Sequence, residues 1–191
     1  FDESFRLHIA RRTESLPLFV SELLKFYEEQ GWICCTDGAW IQSVQPGHQL
    51  PGTLERFIKQ ERWARLTTED QKCLQVASVE GEEFTLQVVA DAIEECADQV
   101  CERFDSELGS QRKWVRPTGS IQLGYHTYPR YGFWHSFYWE VAYGSLSPAA
   151  KMRWHGRVGM ALRAILGETW TNKATELARH FEWADNWKEA L

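Results

Sequence analysis

Apolar residues recur at three- and four-residue steps through most of this chain, a period that predicts helices over its greater part. Residues 3–30 predict one or two of them. In the clearest run, from Ser15 to Glu29, Ser15 stands where a cap is needed and Pro17 sits in the first turn. Phe19, Leu23, Phe26 and Tyr27 share its buried face, and Gly31 stops it. The period then shortens. Residues 32–35 and 39–44 flank Asp37-Gly38 and predict a short β-hairpin, after which Pro46, Gly47, Pro51 and Gly52 mark a loop.

Helical spacing returns with Leu54, Phe57, Ile58 and Ala64 as one stripe. Thr67 caps a further helix, with an acid, Asp70, three residues on and Cys73, Leu74 and Ala77 inside. Gly81-Glu-Glu-Phe-Thr breaks it. Leu86, Val89, Ala90 and Ile93 make the next helix, and Val100, Phe104 and Leu108 a third. Two extended pieces follow, 114–117 and 121–123, separated by a Pro/Gly turn and succeeded by Tyr131-Gly-Phe. Three helices and then a hairpin is the order of a winged-helix domain, with the wing at roughly 114–133.

The stretch 131–143 reads as a strand running into a helix. Phe133 ends the extended part, and Phe137, Val141 and Gly144 fall on one helical face. Ser147 caps the next helix with Pro148 at its first position, and Val158, Leu162, Ile165 and Leu166 form its stripe. Residues 174–191 pair a helix with the start of another across Asp185-Asn186, with Ala174, Ala178 and Ala184 small enough for helix stacking. One such pair cannot bury its own face, which points to a truncated repeat array. The expected fold class is therefore mainly α with small β-hairpins. Its expected parts are a helical segment with a hairpin (1–50), a winged-helix-like domain (51–146), and a helical linker with the first unit of a repeat (147–191).

Composition narrows the setting. The 191 residues, 43% hydrophobic with ten tryptophans, suffice for one compact domain or two small ones. No run has the length of a membrane span, and the start lacks the regions of a secretory signal. A first residue other than methionine and an ending inside a nascent helix suggest a piece of a longer protein. Five cysteines without a Cys-x-x-Cys pair make zinc unexpected and suggest reduced thiols in a cytoplasmic protein. The net charge of −6 hides an asymmetry: residues 1–108 hold 21 acids against 10 bases, whereas 109–166 hold 8 bases against Glu140 alone. Such a basic block with interleaved aromatics can hold nucleic acid or phosphate, or dock on the acidic first half.

Four segments, in order, resemble the C-terminal part of the nucleotide-binding module of STAND ATPases, multidomain signal-transduction NTPases, in the bacterial branch that carries tetratricopeptide-like repeats. Arg11-Arg-Thr-Glu-Ser-Leu-Pro-Leu-Phe-Val-Ser-Glu-Leu-Leu resembles T-x-G-N-P-L-F-x-x-E-L-L. The run from Leu66 to Phe84 resembles L-x-x-E-x-x-x-x-L-x-x-A-S-V-x-G-x-x-F. Tyr131-Gly-Phe-Trp-His-Ser-Phe-Tyr-Trp-Glu-Val-Ala-Tyr resembles Y-x-F-x-H-x-x-x-x-E-V-x-Y, and 174–191 resembles the opening of the repeats. The resemblance implies that Pro17 packs on adenine and that His135 senses the diphosphate of a resting state. It departs from the family at Ser15 and Leu16, where Gly-Asn is usual, and at Ser136, where relatives often have aspartate.

No P-loop and no magnesium-binding acids occur, so neither a catalytic residue nor a metal ligand is expected, and ATP or ADP would be held by an upstream core. The expected partners are that core, proteins bound by the repeats and further copies of the chain. The first functional expectation is a non-catalytic regulatory segment whose winged helix closes over nucleotide and controls assembly or transcriptional signalling. Two alternatives remain: a DNA-binding winged helix, disfavoured by Asp98, Glu102, Asp105 and Glu107 on the third helix, and a nucleotide-independent scaffold. Bland readings stand beside these. Pro17 equally suits a helix start without ligand, and His135 a junction histidine with its hydrogen bonds met. His155 and His180 are expected to be structural or solvated, His126 lies in the wing, and Glu82-Glu83 and Glu94-Glu95 form solvated faces.

Overall fold

The structure is a computed structural model that describes residues 3–13, 17–29, 31–36, 39–42, 62–123 and 125–185. It is mainly helical, with a two-stranded and a three-stranded antiparallel sheet among the described residues. Packing divides it into two units, 1–65 and 66–191, where the sequence suggested divisions at 50 and 146.

In the first unit, helices α1 (Glu3–Thr13) and α2 (Pro17–Glu29) precede strands β1 (Ile33–Thr36) and β2 (Ala39–Gln42). Phe5 and Ile9 of α1 pack with Leu23 and Tyr27 of α2 and with Ile33 of β1 in one buried cluster. Phe19 and Phe26 are only half-buried. Gly31, at φ +69°, turns the chain from α2 into β1, a conformation that costs glycine little. Glu22, buried, pairs with Arg62, and Ala64 is exposed in a turn instead of joining a stripe. Ser15 and the stripe residues Leu54, Phe57 and Ile58 lie outside the described residues.

The second unit runs α3 (Thr68–Glu80), β3 (Glu83–Thr85), α4 (Leu86–Ile93), α5 (Ala97–Asp105), β4 (Val115–Leu123) and β5 (His126–Phe133). It continues with α6 (Ser136–Gly144), α7 (Pro148–Leu166), a 3-10 turn (Gly167–Lys173) and α8 (Ala174–Trp183). Thr67 caps α3 by accepting the Asp70 N–H at 3.1 Å, and Ser147 caps α7 by accepting that of Ala150 at 3.2 Å. The segment after Gly81, expected only to break a helix, supplies β3 at the edge of a sheet ordered β3-β5-β4. Phe84 pairs with Tyr131 there. The expected turn at Pro117–Gly119 is instead a bulge inside a continuous β4, where Gly119 takes φ +119°. Pro117 has no N–H to give, and the extra residue lets the ladder resume beyond it.

Helix α5 passes into a π-type turn, Ser106–Gln111, that brings Leu108 and Trp114 inside. A Cβ on Gly109 would run into the carbonyl of Phe104. Helix α6 buries Tyr138, Val141 and Ala142, while Phe137 is half-buried and Gly144 exposed. This corrects the face expected from sequence. Aromatic residues occur all round α6, so spacing could not choose its phase; the tilted contact of Tyr138 with Trp114, 4.8 Å between centroids, does. Helix α7 lays Trp154, Val158, Leu162 and Leu166 against its neighbours α3, α4 and α8. No helix among the described residues is long and apolar enough to cross a membrane. None of the five cysteines, all among the described residues, forms a disulfide.

Gly109→Ala should lower the unfolding free energy by about 1–3 kcal/mol, the usual cost of forcing an atom into packed structure. A urea titration checks it; an unchanged midpoint would mean that the π-type turn tolerates a side chain.

Candidate functional site

His135 follows the last strand of the sheet by two residues and is the N-cap of α6. Its backbone is extended, and its Nδ1 accepts the N–H of Phe137 at 3.1 Å. Ser136 Oγ lies 3.5 Å from the same nitrogen. An imidazole that accepts at Nδ1 carries its hydrogen on Nε2 when neutral, so the ring presents an N–H donor on its other side. The residue is exposed. Just before it, the backbone N–H of Trp134 donates to the backbone carbonyl of Trp114 at 2.9 Å.

Beside it, Trp134 is 44% exposed, and Lys113 and Arg116 each lie 5.7 Å from its ring centroid. Pro17 is the first residue of α2 and is exposed. It belongs to the first unit, and His135 to the second. In the first position the missing N–H of proline costs nothing, which is the local reason for its presence.

The helix whose acids already weigh against the DNA-binding alternative keeps them at the surface. Asp98, Glu102 and Asp105 of α5 are exposed. Its one cation, Arg103, turns inward to Glu95 at 3.1 Å, Asp70 at 3.6 Å and the Cys73 sulfur at 2.9 Å. Burial pushes the Cys73 thiol up to about 11, which keeps it in the protonated form. Asp105 accepts the Tyr131 hydroxyl at 2.8 Å. Glu80 accepts both the N–H and the hydroxyl of Thr85, at 3.0 and 2.8 Å; burial pushes its carboxyl up to about 7 despite them.

Two histidines prove to be interior. His155 of α7 and His180 of α8 are 4% and 0% exposed, and their Nδ1 atoms are 3.0 Å apart. His155 Nε2 is 3.1 Å from the Tyr143 hydroxyl, whereas the buried His180 Nε2 has no hydrogen-bond partner. One Nδ1 must donate and the other accept. Placing that hydrogen on His180 leaves its Nε2 a bare acceptor, which costs less than an unmade buried N–H. Burial, first of all, lowers His155 to about 4 and His180 to about 3, with Arg179 adding to both. The solvated alternative for this pair is thereby excluded. The signal was present in the spacing: His155 shares the face of Val158 and Leu162, and His180 that of Leu177 and Phe181.

Among the described residues no group of three or more His, Cys, Asp or Glu side chains could hold a metal ion. The chain matches no protein-family model, no curated protein and no solved structure.

The histidine pair sets a sign for stability against pH. Both folded values lie below the ordinary 6.5, so the unfolded chain binds more protons as pH falls below that value. Stability from the pair is complete above about 6.5 and drains toward pH 4 and below. Between pH 7 and 5 the loss should be about 2–4 kcal/mol, at ~1.4 kcal/mol per unit for each histidine, the two being coupled. Glu80 has the opposite sign over this range. The comparison is therefore wild type against the double variant His155→Leu/His180→Leu, whose urea midpoint should fall less on acidification.

Proposed function

We propose that this chain is a non-catalytic regulatory segment of a STAND-type signal-transduction ATPase. Its second unit would act as a winged helix that closes over nucleotide held by an upstream core. The observation that carries this reading is His135: a motif-matched, exposed imidazole fixed by its own capping bond, with an N–H left to meet an anion. The element order α3-β3-α4-α5-β4-β5 supports a winged helix, and α7 and α8 packed beyond it support a helical extension toward repeats. Pro17, exposed at a helix start, would hold the adenine face. Exchange of ADP for ATP would release the closed state and free surfaces for assembly.

One observation favours a second reading, DNA binding through the ribbon. Residues 108–139 contain no acid, and Lys113 and Arg116 flank an exposed tryptophan. The exposed acids of α5 oppose entry of that helix into a groove. The ribbon would then contact backbone alone, with little sequence preference.

The test uses the protein with its upstream core and labelled ADP. His135→Ala should weaken ADP retention about tenfold or more, as expected for loss of a hydrogen bond to a charged group. His135→Asn keeps a capping acceptor and should weaken retention nearly as much. Full retention by both variants would sink the sensor role. Loss in the alanine variant alone would reduce His135 to a cap.

A further inference from the structure

A cleft of about 660 Å³ opens in the second unit between α3, the link from α6 to α7, and α7 itself. That volume falls among small-molecule sites, about 300–1,000 Å³. Its walls are unusual for facing helices, because three cationic residues line one space: Lys72 from α3, and Arg153 and Arg157 from α7. No acidic residue lines it.

Two of the cations are braced from behind by the end of α4. Lys72 Nζ donates to the Ile93 carbonyl at 3.3 Å and pairs with Glu95 at 3.4 Å. Arg157 donates to the Ala92 carbonyl at 3.3 Å and pairs with Glu94 at 3.2 Å. These contacts fix where the cations point and neutralise one charge each. Arg153 has no acidic partner among the described residues; its guanidinium rests over the ring of Trp154, 4.9 Å from the centroid. Trp154, 6% exposed, forms a rigid wall.

The remaining lining adds donors. Thr68 and Ser147 bring hydroxyls, and α3 and α7 both begin at this cleft, so their positive ends face it together with the cations. With Lys72 and Arg157 each answered by a glutamate, Arg153 brings the uncompensated charge to this void, and an anion with several acceptor oxygens would answer it. A phosphate group meets this geometry: it can take a forked pair of bonds from Arg153 while Lys72 and Arg157 hold its flanks.

We propose that this cleft binds a phosphate-bearing small molecule, with the phosphate between Lys72, Arg153 and Arg157. The site is separate from the nucleotide contacts suggested for Pro17 and His135, neither of which lines it. It therefore stands or falls independently of the regulatory reading.

Calorimetric titration of the 191-residue chain with inorganic pyrophosphate tests it, with sodium chloride of equal ionic strength as the blank. Saturable binding is expected. Arg153→Gln should weaken it about ten- to a hundredfold, the range for a lost charge-assisted bond. Arg163→Gln removes the same charge from the same helix but outside the cleft, against Trp170, and should leave binding unchanged. Arg153→Lys, which keeps the charge and loses the fork, should fall between. Absence of saturation would overturn the proposal. So would undiminished binding by Arg153→Gln, or an equal loss in both glutamine variants, which would mark a general effect of charge.

Discussion

The pairing of β3 with β5 sets Phe84 opposite Tyr131, and the rings of Phe104 and Phe133 close on them. Phe84 lies 5.3 Å from Phe104 and 5.6 Å from Phe133, both edge-on, the arrangement that aromatic quadrupoles favour. This cluster joins a three-residue edge strand, a helix and the middle strand of the sheet. Almost everything downstream inherits its position. With β5 held, Phe133 ends the strand inside, Trp134 turns outward, and His135 arrives where its ring can cap α6. The Tyr131 hydroxyl then reaches Asp105, so one polar bond seals the cluster at its outer edge.

Several polar contacts inside the second unit lie where helices meet. Arg103 joins α5 to Asp70 and Cys73 of α3 and to Glu95 beyond α4. The histidine pair joins α7 to α8, where Gly159 allows close approach: a Cβ there would stand 3.0 Å from Phe181. A buried charge or imidazole left without its partner is costly, so such contacts favour one arrangement of the helices over others that would bury the same apolar area. The His180 Nε2 that remains without a hydrogen-bond partner is a residual cost of this solution.

The basic block does not form one surface. Arg112, Arg130 and Arg157 pair with Glu107, Glu83 and Glu94. Lys113 and Arg116 gather around Trp134 at the root of the ribbon, while Lys72 from the acidic half joins Arg153 and Arg157 at the cleft. Much of the asymmetry is thus spent inside the unit. Two cationic places with a tryptophan beside them stand apart among the described residues, while Lys151 lies over Tyr143 and Arg163 over Trp170.

Helix existence was legible in the chain because capping and spacing are local. Thr67 with Asp70, and Ser147 with Pro148, mark helix starts that need no distant partner. The mainly helical class followed, and so did the strand-to-helix change that puts His135 at a cap. Other features depend on residues far apart in sequence. Glu83–Thr85 becomes a strand only because β5 offers it a ladder, and Pro117–Gly119 reads as a turn until β5 pairs with both sides of it. The phase of α6 was hidden by aromatic residues on every face. Arg103 is the one cation of the acidic α5, and its inward turn is decided by Asp70, Cys73 and Glu95. Local sequence determined where the backbone would coil, because helical hydrogen bonds close within four residues. Which side chains meet, and hence the histidine pair and the three-cation cleft, was decided by tertiary packing, because those contacts cross from 25 to more than 80 positions.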